Sequence, residues 1–371
     1  MTKILFLIPT LGQGGAEKVL VNLVNNMDPD KFDVSVIALF GGGVNEQFLK
    51  PHIHYRAIFK KIFPGNSHVM KLFSPKTLHR LFVKEHYDIE VSYLEGPSAR
   101  IISGCEDTNV KLITWIHVEQ HTLEVVASSF RNKEEALACY KRFDQTVCVS
   151  EYVRKDFASI VPLDKPISVL YNTVESDAIS KMANEDIEAA FSGDRYNLIA
   201  VGTLKQSKGY MRLLRIIKRL KDENYCVRLY VLGIGPLQKE MEQFIDEHQL
   251  QDDVVLLGYQ TNPYKFVGKA DCLVCASFAE GFSTAVTEAL IIGVPVCTVE
   301  VSGMKELLGY HNEYGIVTDN SEDALYQGIC SMFDDPSFLK YYQKKALERG
   351  AAFNTTKTVK AVEEMLERIC E

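Results

Sequence analysis

Phe278 to Val299 reads FAEGFSTAVTEALIIGVPVCTV, and its punctuation decides the fold. Ala285 to Ile292 is apolar apart from Thr287 and Glu288, and helical in propensity. Gly293 suits the residue just past a helix end, and Pro295 cannot continue a helix. An apolar strand-like run, Cys272 to Ala276, precedes the stretch, and another, Pro295 to Val299, closes it. Strand, loop, helix, strand is the repeating unit of a parallel sheet.

The loop inside this unit predicts an anion site. The N–H groups of Ser283, Thr284 and Ala285 are expected to point out of the helix N-terminus, where the dipole also favours negative charge. Glu280 lies just outside the helix, and Glu288 about five residues into it, roughly 7–8 Å deeper. Carboxylates beside a phosphate site do not bind the phosphate, but they can accept hydrogen bonds from sugar hydroxyls on either side of it. Two glutamates alone would read as a first-turn residue and a solvated helix-face residue. Their spacing tips the balance. Glu280-x7-Glu288 within EGFSTAVTEALIIGVPV resembles the signature of the retaining nucleotide-sugar glycosyltransferases of family four, which have the GT-B fold. The resemblance implies Glu280 at the transferred sugar, Glu288 on the nucleotide ribose, and the turn of Phe282, Ser283 and Thr284 around the donor, its amides holding phosphate.

At 371 residues the chain is long enough for two domains with their own cores. The net charge is −8, and no strongly basic domain marks a nucleic-acid partner. Nine cysteines, an odd number, sit mostly in apolar runs, as expected of reduced, buried thiols in a cytosolic protein. Cys272 and Cys275 form a CxxC without a second pair, and both read as core residues. Met1 to Pro9 is one short strand rather than a signal peptide, and no apolar run approaches the length of a membrane span.

Taken in order, the chain begins with a βαβ unit: Lys3 to Ile8, a helix from Ala16 to Met27, then Phe32 to Leu39. Its GQGGAEK loop fails the dinucleotide fingerprint, because Gly12-x-Gly14-Gly15 has the wrong spacing and no acidic residue ends the second strand. That disfavours a nicotinamide-dependent oxidoreductase. The loop reads equally as a tight turn or, by resemblance, as the place where Gly14 and Gly15 bring amides to the donor phosphates and acceptor. Asp28-Pro29-Asp30 is formally a DxD, but with Pro between a helix and a strand it reads as a turn. Nothing else resembles a metal site. Lys50 to Lys84 holds eight Lys or Arg and no acid, interleaved with aromatic and aliphatic residues. It reads either as a solvated irregular segment with core anchors or as an interface for anionic lipid or a diphosphate-bearing acceptor.

Asp88 to Tyr93 and Lys111 to Ile116 are strands, and the resemblance places His117, which ends the second, near the donor sugar. Ser150 caps a helix beginning at Glu151. Residues 175–195 read as a linker with one helix. Lys208 stands before a helix starting near Tyr210, a sound place for a diphosphate. The family usually has Arg where this chain has Thr203, which weakens the cationic clamp unless Lys205 substitutes. Gly233-Ile-Gly235-Pro236 is similar to the family's GxGP, and Gly258-Tyr259 falls where the family meets the nucleobase.

These readings converge on an α/β protein of GT-B type, two doubly wound Rossmann-like domains facing a central cleft. Residues 1–175 are expected to bind the acceptor and 176–355 the nucleotide sugar, with a helix at 356–371 recrossing to the first domain. The expected activity is that of a retaining hexosyltransferase in polysaccharide biosynthesis, moving a sugar from a UDP-linked donor to a saccharide or lipid-diphosphate-linked acceptor. It is expected to be cytoplasmic or peripheral on the membrane, with no cofactor and no metal. A nucleotide-sugar epimerase of the same fold and an inactive sugar-nucleotide-binding protein are the alternatives.

Overall fold

The computed structural model describes every residue except 188–190, 192, 281 and 302. Two compact units result: Met1–Val174 together with Thr355–Glu371, and Glu175–Asn354.

The first unit is built on a parallel sheet of seven strands: β1 (Thr2–Ile8), β2 (Phe32–Phe40), β3 (His54–Phe59), β4 (Ile89–Ser92), β5 (Lys111–Ile116), β6 (Gln145–Cys148) and β7 (Ile167–Val169). Their order is β3-β2-β1-β4-β5-β6-β7. Ile4 to Ile8 on β1 are all wholly buried. A central strand covered on both faces has no need of alternation, so it reads as one apolar run. The helix Gly15–Asn26 packs with Val19, Leu20, Leu23 and Val24. The C-terminal helix Thr355–Cys370 belongs to the same unit, burying Val359, Val362, Met365 and Leu366. The Glu363 carboxylate accepts the Asp28 amide at 2.7 Å, and the Thr355 hydroxyl donates to the Val174 carbonyl at 2.8 Å.

The second unit carries six parallel strands: β8 (Tyr196–Val201), β9 (Val227–Leu232), β10 (Val254–Gly258), β11 (Cys272–Cys275), β12 (Val296–Val299) and β13 (Ile316–Thr318). Their order is β10-β9-β8-β11-β12-β13. Leu198, Leu229, Val231 and Val274 of the sheet pack against Leu213, Leu214, Ile217 and Leu220 of the helix Tyr210–Asp222. Each such side chain contributes about 1.5–3 kcal/mol on full burial. Both sheets reverse strand order once, between β1 and β4 and between β8 and β11. At such a point the two following loops turn away from each other and leave a crevice at the carboxyl edge.

The Lys50–Lys84 segment is more ordered than a solvated irregular stretch. It contains β3 and the helices Asn66–Leu72 and Pro75–Phe82. As an edge strand, β3 is half-exposed on both faces, so the period-two signal is absent. Phe40, Phe59 and Phe63 pack on one another, and Phe82 on Phe59, at ring-centroid distances of 5.4–5.9 Å. Asp28-Pro29-Asp30 is a turn in which the Asp28 carboxylate accepts the Asp30 amide at 2.9 Å. The linker holds a helix at Ser176–Ala183, while 188–190 and 192 lie outside the described residues. Ahead of Thr355–Cys370 runs a separate helix, Pro336–Gly350.

Candidate active site

Every sequence-predicted residue of the second unit follows a parallel strand, so all lie at one edge of the sheet. Thr203, Lys205 and Lys208 follow β8, Gly258 and Tyr259 end and follow β10, and Glu280 follows β11. Since β8 and β11 are neighbours at the reversal, the sheet itself brings Lys208 and Glu280 together. The Lys208 ammonium donates to the Glu280 carboxylate at 2.5 Å. Ser277, buried at the end of β11, donates to the same oxygen at 2.7 Å. The Cys275 thiol lies 3.9 Å from it, its pKa pushed up by burial and then by the Glu280 charge. Cys275, a residue of strand β11, thus also borders the Glu280 carboxylate. The Phe278 amide donates to the Ser207 carbonyl at 2.8 Å and stitches the two loops together.

The turn after Glu280 caps a helix. Ser283 adopts an extended conformation and its hydroxyl accepts the Val286 amide, starting the helix Thr284–Ile292. The outward amides are then those of the first turn. Gly281 lies outside the described residues. Gly293, at φ 91°, closes the helix as a left-handed cap. Phe282 is buried with its ring edge-on to Phe353, at 5.9 Å. Glu288 is no solvated helix-face residue. It is buried and accepts a hydrogen bond from the Tyr264 hydroxyl at 3.1 Å.

Thr203 and Lys205 are exposed beside this pair. The backbone beneath them is tightly fitted: a Cβ at Gly233 would lie 2.0 Å from the Gly202 carbonyl oxygen. Tyr259 is 54% exposed, which leaves a ring face open for a base to stack on.

In the first unit, Gly14 caps the helix Gly15–Asn26, and a Cβ there would lie 2.0 Å from the Glu17 carboxylate. Glu17 thus folds back over the helix N-terminus, and burial raises its pKa. His117 ends β5 and is buried, its ring 4.9 Å from that of Tyr93. Its Nε2 has no hydrogen-bond partner among the described residues, and burial pushes the imidazole down to about 3, so it is neutral.

Residues 182–349 match the model of glycosyl transferases group 1, and residues 13–178 that of glycosyltransferase family 4. The chain belongs to glycosyltransferase family 4. This glycosyltransferase is 29% identical over 369 residues to the Campylobacter jejuni N-acetylgalactosamine-N,N'-diacetylbacillosaminyl-diphospho-undecaprenol 4-alpha-N-acetylgalactosaminyltransferase, covering 96% of this chain and 97% of that one. It is 26% identical, over 95% of each chain, to the same organism's GalNAc-alpha-(1->4)-GalNAc-alpha-(1->3)-diNAcBac-PP-undecaprenol alpha-1,4-N-acetyl-D-galactosaminyltransferase. The crystal structure of Anabaena HepE in complex with UDP superposes with a TM-score of 0.76 at 18% identity, covering 99% of this chain and all of that one. The fold is GT-B.

Several residues that shape the glycosyltransferase's site were not evident in the sequence. Arg212 is buried, donating to Asn320 at 2.8 Å and to the carbonyls of Ala276 and Ser277, with Phe278 stacked at 4.3 Å. Its signal was a lone cation on the inner side of an otherwise apolar helix face. Ser277 and Glu95 each follow a strand end, a place where polar residues are worth noting. Among the described residues, no helix is long and apolar enough to cross a membrane.

Proposed function

We propose that this chain transfers a hexose-class sugar from a UDP-linked donor to a lipid-diphosphate-linked saccharide, with retention at the anomeric carbon, in the building of a polysaccharide. The observation that carries this reading is the Lys208–Glu280 contact at the reversal of the second sheet, with the capped helix Thr284–Ile292 beside it. Lys208 would neutralise the leaving diphosphate together with the first-turn amides, and Lys205 would add charge at the exposed rim. Glu280 would accept from hydroxyls of the transferred sugar. Glu288, steadied by Tyr264, would accept from the ribose, and the Gly258-Tyr259 turn would meet the base. Within the first unit, Gly14, Gly15 and His117 are the candidate contacts. No side chain of this set is placed as a covalent nucleophile, which favours a front-face displacement in which the leaving diphosphate oxygen takes the acceptor proton. The lipid-linked acceptor rests on the likeness to the two Campylobacter enzymes, and the UDP donor on the likeness to the UDP-bound Anabaena fold. Contact with the cytoplasmic face of a membrane, through Lys50–Lys84, would keep the enzyme near such an acceptor.

Thr203, exposed in the family's Arg position, favours a second reading as a sugar-nucleotide-binding protein without turnover. One experiment separates the two, and an epimerase as well. UDP release is followed from a panel of UDP-sugars with and without a prenyl-diphosphate-linked saccharide. Release that depends on the acceptor supports the transferase. Release or isomer formation without it supports the epimerase, and binding without release supports the inactive protein.

A further inference from the structure

The first sheet reverses between β1 and β4, and the residues following these strands flank the crevice in which open α/β sheets hold ligands. Glu95 follows β4 and is partly exposed. Its carboxylate accepts the His117 amide through Oε2 and the Gln120 side chain through Oε1, each at 3.2 Å. The loop supplying these donors is unusual. Gln120 is buried and its amide donates to Asp156 at 2.6 Å. His121 stands at φ 59°, in the left-handed region uncommon for non-glycine residues, with its amide also on Asp156. Backbone strain over-determined by its surroundings in this way clusters at ligand sites. Beside it, the buried and unpartnered His117 Nε2 is a second polar group without an internal role.

We propose that Glu95 binds a hydroxyl of the acceptor saccharide, the sugar O–H donating and the ionised carboxylate accepting. This deepens the glycosyltransferase reading and rests on it. The first unit then repeats the logic of the second, with a carboxylate at the strand reversal reading sugar hydroxyls.

Burial raises the Glu95 carboxyl to about 7, so its charge changes near neutrality. The groups around it are named by element. Tyr140 and the Cys148 thiol, both facing Glu95, are pushed up by burial and then by its charge, and both stay neutral at pH 7. His117 is neutral as well. Asp156 is packed behind the loop, and Glu119 and His121 lie on the loop near it. His121, the imidazole on this loop, supplies the control.

The test measures acceptor and donor KM against pH for the full chain, with a UDP-sugar and a prenyl-diphosphate-linked saccharide. Acceptor KM should fall about tenfold between about pH 6 and about pH 8, while donor KM stays level. Glu95→Gln should raise acceptor KM and flatten the profile, Glu95→Asp should keep a pH dependence, and His121→Asn should leave the profile in place. A profile unchanged in Glu95→Gln, or one lost in His121→Asn, overturns the proposal. So does a flat acceptor KM in an active wild type, which leaves the transferase reading standing. No turnover by wild type with any lipid-linked saccharide overturns both. If Glu95→Gln fails to fold, the Glu95→Asp and wild-type profiles still decide.

Discussion

The Lys208 Nζ stands 2.5 Å from Glu280 Oε1, although 72 residues separate the two in sequence. They follow adjacent strands at the one place where the second sheet reverses, so the topology makes their meeting obligatory. Their side chains are 23% and 10% exposed, which leaves the pair shielded from salt yet reachable. Each group already has its charge satisfied without ligand. Under the proposed function a diphosphate would draw Lys208 away, and Ser277 would remain on Glu280 to hold it.

From this arrangement Glu280→Gln and Lys208→Ala are each expected to lower kcat by on the order of 10²–10³ while UDP-independent folding persists. Because the residues touch, the double variant should lose much less than the product of the single losses. Steady-state kinetics on the three variants checks this. Near-wild-type rates in both single variants would remove the residues from the site.

Arg212 should act through the loop it holds. Its guanidinium binds the Ala276 and Ser277 carbonyls just before Glu280, and Asn320 on the far side. Arg212→Ala leaves these buried acceptors unmet and is expected to cost on the order of 3 kcal/mol in urea unfolding. Arg212→Lys keeps the charge but not the planar fork, so it should fold better than Ala and still lose turnover. Full activity in Arg212→Lys would show that the loop keeps its shape without the fork.

Turnover is expected to survive EDTA. The single DxD spends its first carboxylate on its own turn. Among the described residues, the two groups with metal-ligand chemistry, His79–Glu90–Cys105 and Glu119–His121–Asp156, lie in the first unit, whereas the proposed diphosphate groups lie in the second. Activity abolished by EDTA and restored by magnesium or manganese would contradict this.

His79 and Glu90 form a largely buried pair, Nε2 to Oε2 2.7 Å, that ties the helix Pro75–Phe82 to β4. Burial alone lowers the His79 pKa, but contacts with Cys105 and Glu90 outweigh it and raise it to about 9. A base whose pKa is raised on folding stabilises most below its unfolded value. The pair's contribution should therefore be complete below about pH 6.5 and fade as pH rises through about 9. Melting temperature measured against pH should show this alkaline loss, and His79→Gln should flatten it. An identical slope in the variant would place the loss elsewhere.

Much of this was legible in the sequence because the signals were local. The Ser150 cap, the Gly293 end and the apolar runs of β1, β11 and β12 each follow from a few neighbouring residues. The resemblance carried by Glu280-x7-Glu288 extended that to the family. What escaped was non-local or atypical. Strand β3 has an edge position and no alternation. Arg212 looks like a surface cation until the fold places Ala276 and Asn320 against it. Nothing near Phe282 in sequence announces Phe353, 71 residues away, against which its ring packs. Nothing near Glu288 in sequence announces its partner Tyr264.

The last prediction concerns Lys50–Lys84. The structure divides its side chains into two groups. Phe59, Phe63, Phe82 and Met70 are spent on internal packing, and the Lys71 ammonium donates to the Ser128 carbonyl at 2.6 Å. Ile62 and Leu72 remain 65% and 76% exposed, with Val69, Phe73 and Leu81 also exposed. Lys60, Lys61 and Arg80 stay in solvent. Each exposed cation near an anionic membrane is worth about 1 kcal/mol and is screened by salt. Three of them, with one or two aliphatic side chains inserted, suffice for reversible attachment but not for a permanent anchor. The protein should therefore sediment with anionic vesicles at low salt, leave them at high salt, and ignore neutral vesicles. Replacing Lys60, Lys61 and Arg80 with Glu should abolish sedimentation, since it removes three attractions and adds three repulsions, while UDP still raises the melting temperature. Ile62→Ser should weaken binding without changing its salt dependence. If wild type and the triple Glu variant both stay in the supernatant at low salt, the segment is a solvated surface and the acceptor must reach the enzyme by another route.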